Sequence, residues 1–206
     1  VKEYPSIDRK IRYGEPVYLF DKLDGSNIRA EWSRKKGRFY KYGSRTQLID
    51  SGHPFLGESV FLIQDNFEEE LARIFEKQRW HKTLAFFEFY GPQSFAGFHE
   101  KEDQHKVTLI DVKPFKHGIL NPDEYLDLFG HLDTAKLLYR GNMNKEVEEQ
   151  IRKQELPGIT FEGAVGKIKV KGKTQNPAMF KVKTYAWLER LKNYCKGDDN
   201  LYKRLL

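Results

Sequence analysis

A single cysteine, Cys195, stands among 206 residues. No disulfide can therefore close within the chain, and a reducing cytosol is the compartment this composition suits. No apolar run approaches the roughly 20 residues a membrane-spanning helix needs, so no membrane is expected as a partner. The opening "VKEYPSIDRK" is polar and charged and lacks the apolar stretch of a secretory signal. Internal repeats and low-complexity linkers are also missing. The chain accordingly reads as one domain, residues 1–206, and a monomer is expected.

Aromatic residues are plentiful. With 15 Phe, 11 Tyr and a hydrophobic fraction of 39%, the chain can build a real core and is not a disordered one. The net charge is +6, unevenly placed. Residues 165–206 carry 11 Lys/Arg against 3 Asp/Glu, whereas the preceding residues carry 25 against 27. A basic C-terminal segment on a nearly neutral body suits a polyanionic partner such as nucleic acid, though many soluble proteins also end in lysine-rich segments.

Periodicity predicts strands at Pro16–Phe20, Asn27–Trp32 and Arg38–Gly43, the last two joined through the turn "RKKG". Further strands are expected at Thr83–Gly91, Lys106–Phe115, Glu162–Val170 and Ala178–Lys183. Apolar residues at Val60, Ile63, Phe67, Leu71, Ile74 and Phe75 give Glu58–Gln78 a helical stripe. Shorter helices are expected at Asn121–Gly130, Asn144–Gln154 and Tyr185–Tyr194. Many strands suited to antiparallel pairing, with interspersed helices, argue for an α+β fold.

Charged residues interrupt the most strand-like segments. Glu88 sits in "AFFEFYG", Glu162 in "ITFEGAV", and Lys181 and Lys183 in "AMFKVKTY" at the two-residue spacing of one sheet face. Each could simply lie on an exposed face. Together, two carboxylates and two ammonium groups can line one cleft, with a metal on its acidic side and phosphates on its basic side. Lys22, in "FDKLDGSNIRAEW", then becomes its centre. The Asp-Gly-Ser-Asn that follows suits a tight turn, and nearby cations with partial desolvation would lower the lysine pKa toward that of a nucleophile. Arg45, in "SRT", offers a planar guanidinium to a phosphate or ribose.

The ordered set "KLDGSN", "SRT", "FEFYG", "LIDV", "FEGAVGK" and "KVK" resembles the covalent nucleotidyltransferase superfamily of polynucleotide ligases and mRNA capping enzymes. It is most similar to ATP-dependent RNA ligases of the RNA ligase 2 type. The resemblance runs from about Lys2 to Lys192. It implies an adenylyltransferase (ATP-grasp-like ligase) domain of antiparallel sheets with flanking helices. ATP would be the AMP donor and Mg²⁺ or Mn²⁺ the metal. RNA ends or a nicked duplex, with a 5′-phosphate and a 3′-hydroxyl, would be the partner. It also implies roles: Lys22 would take AMP, Asn27 would act near the phosphate, and Arg45 would contact nucleotide or strand end. Glu88 would meet the ribose, Glu162 would act through metal, and Lys181 and Lys183 would hold phosphates. The expected location is the cytoplasm, or a host's cytoplasm for a phage-encoded chain.

There are two departures from that family. Ile110 stands where an aromatic residue often covers the adenine, with Phe115 a nearby substitute. Only 23 residues follow Lys183, so no OB or other C-terminal domain is expected within 1–206; the chain is either a one-domain ligase or part of a longer one. A DNA ligase, a GTP-dependent capping domain and a non-catalytic nucleic-acid-binding module are the competing readings. Four features invite no functional reading: "HEKEDQH" (His99–His105), the non-P-loop "GPQSFAG" (Gly91–Gly97), the acidic run Glu68–Glu70, and Cys195.

Overall fold

A computed structural model describes residues 3–92 and 103–206. The segments Gly91–Gly97 and His99–His105 fall largely outside them. The described residues form two antiparallel sheets with flanking helices, in agreement with the α+β expectation. In chain order the elements are β1 (Pro16–Asp21), β2 (Ser26–Ser33), β3 (Arg38–Gly43), β4 (Leu48–Ile49), α1 (Gly57–Ile63), α2 (Glu69–Lys77), β5 (Lys82–Tyr90), β6 (Lys106–Pro114), α3 (Pro122–Phe129), β7 (Leu137–Asn142), α4 (Lys145–Arg152), β8 (Gly163–Ile168), β9 (Ala178–Lys183), α5 (Tyr185–Cys195) and α6 (Asp199–Leu205). One sheet has the order β7-β1-β8-β9, the other β4-β3-β2-β5-β6.

Strand alternation decides which face of the larger sheet receives the helices. Ile28, Ala30 and Trp32 of β2 pair across to Phe87, Ala85 and Thr83 of β5, and this face packs on Ile63, Phe67, Leu71, Phe75, Tyr125 and Phe129. The alternate residues of the same strands face the other sheet. There Phe86 meets Tyr4, Ile119 and Met179 in a small apolar cluster between the sheets. The smaller sheet buries Val17, Leu19, Phe180 and Val182 against Val147 and Ile151 of α4.

The expected helix over Glu58–Gln78 is divided. A π-helical turn, Gln64–Glu68, separates α1 from α2. Its buried residues Ile63, Phe67, Leu71 and Phe75 recur every fourth position, and such a row drifts by about 40° per step around an α-helix. One widened turn absorbs part of that drift and keeps the stripe on the sheet. Glu68 is not merely solvated, because its carboxylate accepts a hydrogen bond from the Phe39 amide at 2.9 Å. Cys195 is buried beside Trp187 and Leu191. No helix among the described residues is long and apolar enough to cross a membrane.

Candidate active site

Lys22 follows directly on β1, where the two sheets meet. Its amide donates to the Gly163 carbonyl at 2.9 Å, which prolongs the β1–β8 ladder by one residue. The chain then reverses through Asp24 and Gly25 into β2. A Cβ on Gly25 would lie 2.3 Å from the Phe89 carbonyl oxygen, so a side chain there would force the turn off β5. The Gly25 amide donates to Glu88 Oε1 at 3.2 Å. Gly163 is required for the same reason and for its backbone: φ is +141°, and a Cβ would fall 2.0 Å from the Val182 carbonyl oxygen.

These constraints place Lys22 on the wall of a cavity of about 450 Å³. Asn27, Arg45, Glu88 and Ile110 share that wall. Glu162 and Lys183 do not line it but are held against Lys22. Lys22 Nζ lies 2.8 Å from Glu162 Oε2, and Lys183 Nζ pairs with the other oxygen of the same carboxylate. The Glu162 carbonyl accepts from the Thr184 amide at 3.1 Å, so the carboxylate is carried at a fixed point between β8 and β9. Lys183 also stands 3.6 Å from the centre of the Trp187 ring. Lys181, half-buried on the next outward position of β9, donates instead to the Leu206 carbonyl at 3.0 Å.

The electrostatics depart from expectation at the centre. Burial disfavours the Lys22 ammonium, but Glu162 and Glu88 favour it, and the amine is held above its ordinary value. The cationic neighbours expected to lower it do not prevail. The depressed lysine is Lys183, which burial and the nearby Lys22 push down to about 8. Lys181 is lowered by the same two causes in the same order. Glu88 is pushed up from 4.5 to about 7, chiefly by burial, with Lys22 opposing and Glu162 reinforcing.

Phe115 does not stand in for the missing aromatic. It is 59% exposed and borders a different cavity with Trp32 and Lys82. Ile110 does line the main cavity, close to Phe20 and Val165. Lys167 is a site residue that sequence reasoning missed. It lines the cavity while fully buried, donating to Asp111 Oδ1 at 2.7 Å and to the Ile110 carbonyl at 3.0 Å. Asp111 also accepts from the Tyr4 hydroxyl, so this pair ties β6, β8 and the N-terminal segment together. The available signal was the lysine inside the apolar "EGAVGKI". Asp21 was missed as well: its two oxygens accept from the Thr160 amide at 2.9 Å and hydroxyl at 2.8 Å. That clamp grips the loop two residues before Glu162 from the residue next to Lys22.

Among the described residues no cluster of three carboxylates, histidines or cysteines could by itself hold a metal. Each Glu162 oxygen accepts from one lysine and keeps a second lone pair. The carboxylate can therefore give a hard cation one contact, with phosphate oxygens and water supplying the rest, a common arrangement for Mg²⁺.

Two antiparallel sheets meeting at a lysine-bearing cleft form the nucleotidyltransferase-domain fold of covalent nucleotidyltransferases, and this chain has that fold. It is similar to an archaeal ATP-dependent RNA ligase with a TM-score of 0.68 at 15% identity, covering 100% of this chain and 56% of that one. A Naegleria gruberi RNA ligase variant holding AMP and Mn matches with a TM-score of 0.65 at 17% identity, covering 92% of this chain and 58% of that one. A protein from Aquifex aeolicus, provisionally described as an ATP-dependent DNA ligase, matches with a TM-score of 0.65 at 20% identity, covering 99% and 57%. The chain thus spans little more than half the length of these proteins. The sequence matches no protein-family model and no curated protein.

Proposed function

We propose that this chain is the adenylyltransferase domain of an ATP-dependent RNA ligase. The observation that carries the reading is the shared carboxylate. Lys22 sits on a cavity wall 2.8 Å from Glu162, whose second oxygen holds Lys183. A binding module has no use for a lysine so held, whereas a nucleophile beside a phosphate site does. In this reading Lys22 Nζ attacks the α-phosphorus of ATP. A P–N bond forms, the α–β P–O bond breaks, pyrophosphate leaves and Nζ loses its proton. AMP then passes to a 5′-phosphate end, and a 3′-hydroxyl displaces it to seal the strand.

The residues divide that work. Ile110, Phe20 and Val165 offer an apolar slot to the base. Glu88, with a carboxyl near 7, can accept or donate toward the ribose. Lys181 and Lys183 neutralise phosphates, Arg45 reaches the nucleotide or strand end from the exposed rim, and Asn27 lies beside the transferred phosphate. Glu162 would hold a divalent cation with the phosphates. That cation would neutralise them and offset the negative charge that favours the Lys22 ammonium.

The test is incubation with α-labelled ATP and Mg²⁺. An acid-labile covalent label is expected on the wild-type chain and none on Lys22→Ala; label retained in that variant would sink the reading. DNA ends are a second reading, favoured by the comparable likeness to the Aquifex aeolicus protein. Sealing of nicked DNA in preference to nicked RNA would support it. Transfer from GTP in place of ATP would point to a capping activity.

A further inference from the structure

Counting charge along the chain points to residues 165–206. The fold assembles a second basic surface, in which Lys82 and Lys116 from two distant turns join the run Arg34–Arg38. The β2–β3 turn contributes Arg34, Lys35, Lys36 and Arg38, all exposed. Lys82 opens β5, and Lys116 lies just past the end of β6. Backbone hydrogen bonds join the three turns. The Arg34 amide donates to the His81 carbonyl, and the Phe115 amide to the Lys82 carbonyl, each at 2.9 Å. All six cations therefore lie at one end of the five-stranded sheet.

Three observations separate this end from an ordinary solvated lysine face. First, among the described residues none of the six has a carboxylate within salt-bridge distance. Three lysines elsewhere on the surface do: Lys145 with Glu148, Lys153 with Glu149 and Lys169 with Asp123. Second, aromatic rings are interleaved with the cations. Lys36 lies 4.3 Å from the Tyr40 ring centre and Lys116 lies 5.7 Å from that of Phe115. The rings border a cavity of about 270 Å³, whose wall also carries Glu3 and Glu31, away from the exposed Arg34–Arg38 turn. Third, Lys116 has φ +64° at the third position of the Pro114–His117 turn, which a hydrogen bond of 3.0 Å closes. Glycine or asparagine fits that position better. The other non-glycine residues with positive φ among those described are Arg79, Gln154 and Lys196. Each lies within two residues of the end of a helix, where left-handed backbone is routine. Lys116 has no such reason, and its strain lifts Phe115 and Lys116 outward together.

We infer that this end of the sheet is an auxiliary nucleic-acid contact, which holds the strand away from its reacting end. Cations without a salt-bridge partner suit phosphates, and the exposed Phe115 ring, with the half-buried Tyr40 ring, suits bases. The inference rests on the reading of nucleic acid as substrate. The fold also sets the length of the contact. The eight residues of β2 separate the cleft from this end by about 23 Å at roughly 3.3 Å per residue. That distance corresponds to about seven nucleotides at roughly 3.4 Å each. Substrates with shorter flanks reach the cleft alone; longer ones reach both.

The test compares nicked RNA duplexes with flanks of about four and about fifteen base pairs, with affinity measured by fluorescence anisotropy over a range of salt. Lys35→Glu/Lys36→Glu is expected to weaken binding of the long duplex about tenfold and to reduce its salt slope by about two. Binding of the short duplex and lysine–AMP formation should be unchanged. Lys116→Gly relieves the strained backbone, so its melting temperature should hold or rise while long-duplex affinity falls about threefold. The inference is overturned if long and short duplexes weaken equally, if neither weakens, or if Lys203→Glu/Arg204→Glu in α6 has the same length-dependent effect. Failure of the wild-type chain to bind either duplex would instead count against nucleic acid as the substrate, and so against the function proposed above.

Discussion

The cleft between the sheets and the far end of the five-stranded sheet handle charge in opposite ways. In the cleft, Glu162 is 4% exposed and each of its two oxygens pairs with a lysine, Lys22 or Lys183. At the far end, Arg34, Lys35 and Lys36 are exposed, and among the described residues none of them has a carboxylate within salt-bridge distance. A buried charge depends on its partner, because removing one leaves the other unmatched in a low dielectric. An exposed charge is screened and costs the fold little either way. The cleft should therefore couple chemistry to stability, whereas the far end should couple to neither and act only on what binds.

That contrast can be broken most forcefully at Glu162. Glu162→Gln leaves two ammonium groups facing a neutral amide, and unfolding in urea should show a loss of about 3 kcal/mol together with loss of the covalent AMP label. Unchanged stability would mean that the carboxylate is not the keystone of the cluster. A smaller effect is expected at Asp21→Asn, which cannot accept both Thr160 donors. The loss should be about 1–2 kcal/mol, with slowed label formation, and Thr160→Ser should retain both stability and rate.

Glu88 provides a pH signature. Its folded pKa of about 7 lies above the ordinary 4.5, so between these values the folded chain binds more protons than the unfolded one. Stability contributed by this group must then fall as pH rises through that window. Thermal melts of Glu88→Gln should show a shallower fall from pH 4.5 to 7 than wild type; an identical slope would assign the dependence elsewhere. The smallest effect is expected at the far end, where Lys35→Glu should change unfolding free energy by less than about 0.5 kcal/mol. A larger loss there would show that the basic end is part of the fold's support, and would erase the contrast.

Much of the fold was legible because β2, β3 and β9 alternate cleanly and the buried stripe on α1 and α2 is periodic. Strand β7 was not. "LLYRGN" has no clean apolar alternation and no buried residue, and it is a strand because β1 offers it a free edge. The helix α6 was also unforeseen; Leu201 and Tyr202 pack it on the Trp187 cluster. At the site, Lys22, Glu88, Glu162 and Lys183 stood out as charges in apolar surroundings. Lys167 carried the same signal in "EGAVGKI", but its role and those of Asp111 and Asp21 were not legible, because a buried ion pair or clamp is recognisable only when both partners are seen, and Lys167 and Asp111 lie 56 positions apart.

By itself the sequence determined which residues are out of place in their strands, and hence which could form a site. It also placed a tight turn at Asp24–Asn27, whereas the contacts that forbid a side chain at Gly25 and Gly163 belong to the tertiary structure. The tertiary structure decided how those charges are matched. One carboxylate serves two lysines: Glu162, with Glu88, holds Lys22 above its ordinary value, the reverse of the expectation, while burial and the Lys22 cation lower Lys183 in spite of that same carboxylate. It also decided where exposed charge accumulates, since turns distant in the chain meet at one sheet end. Electrostatic interaction depends on distance in space and on burial, and neither is written in the order of residues along the chain.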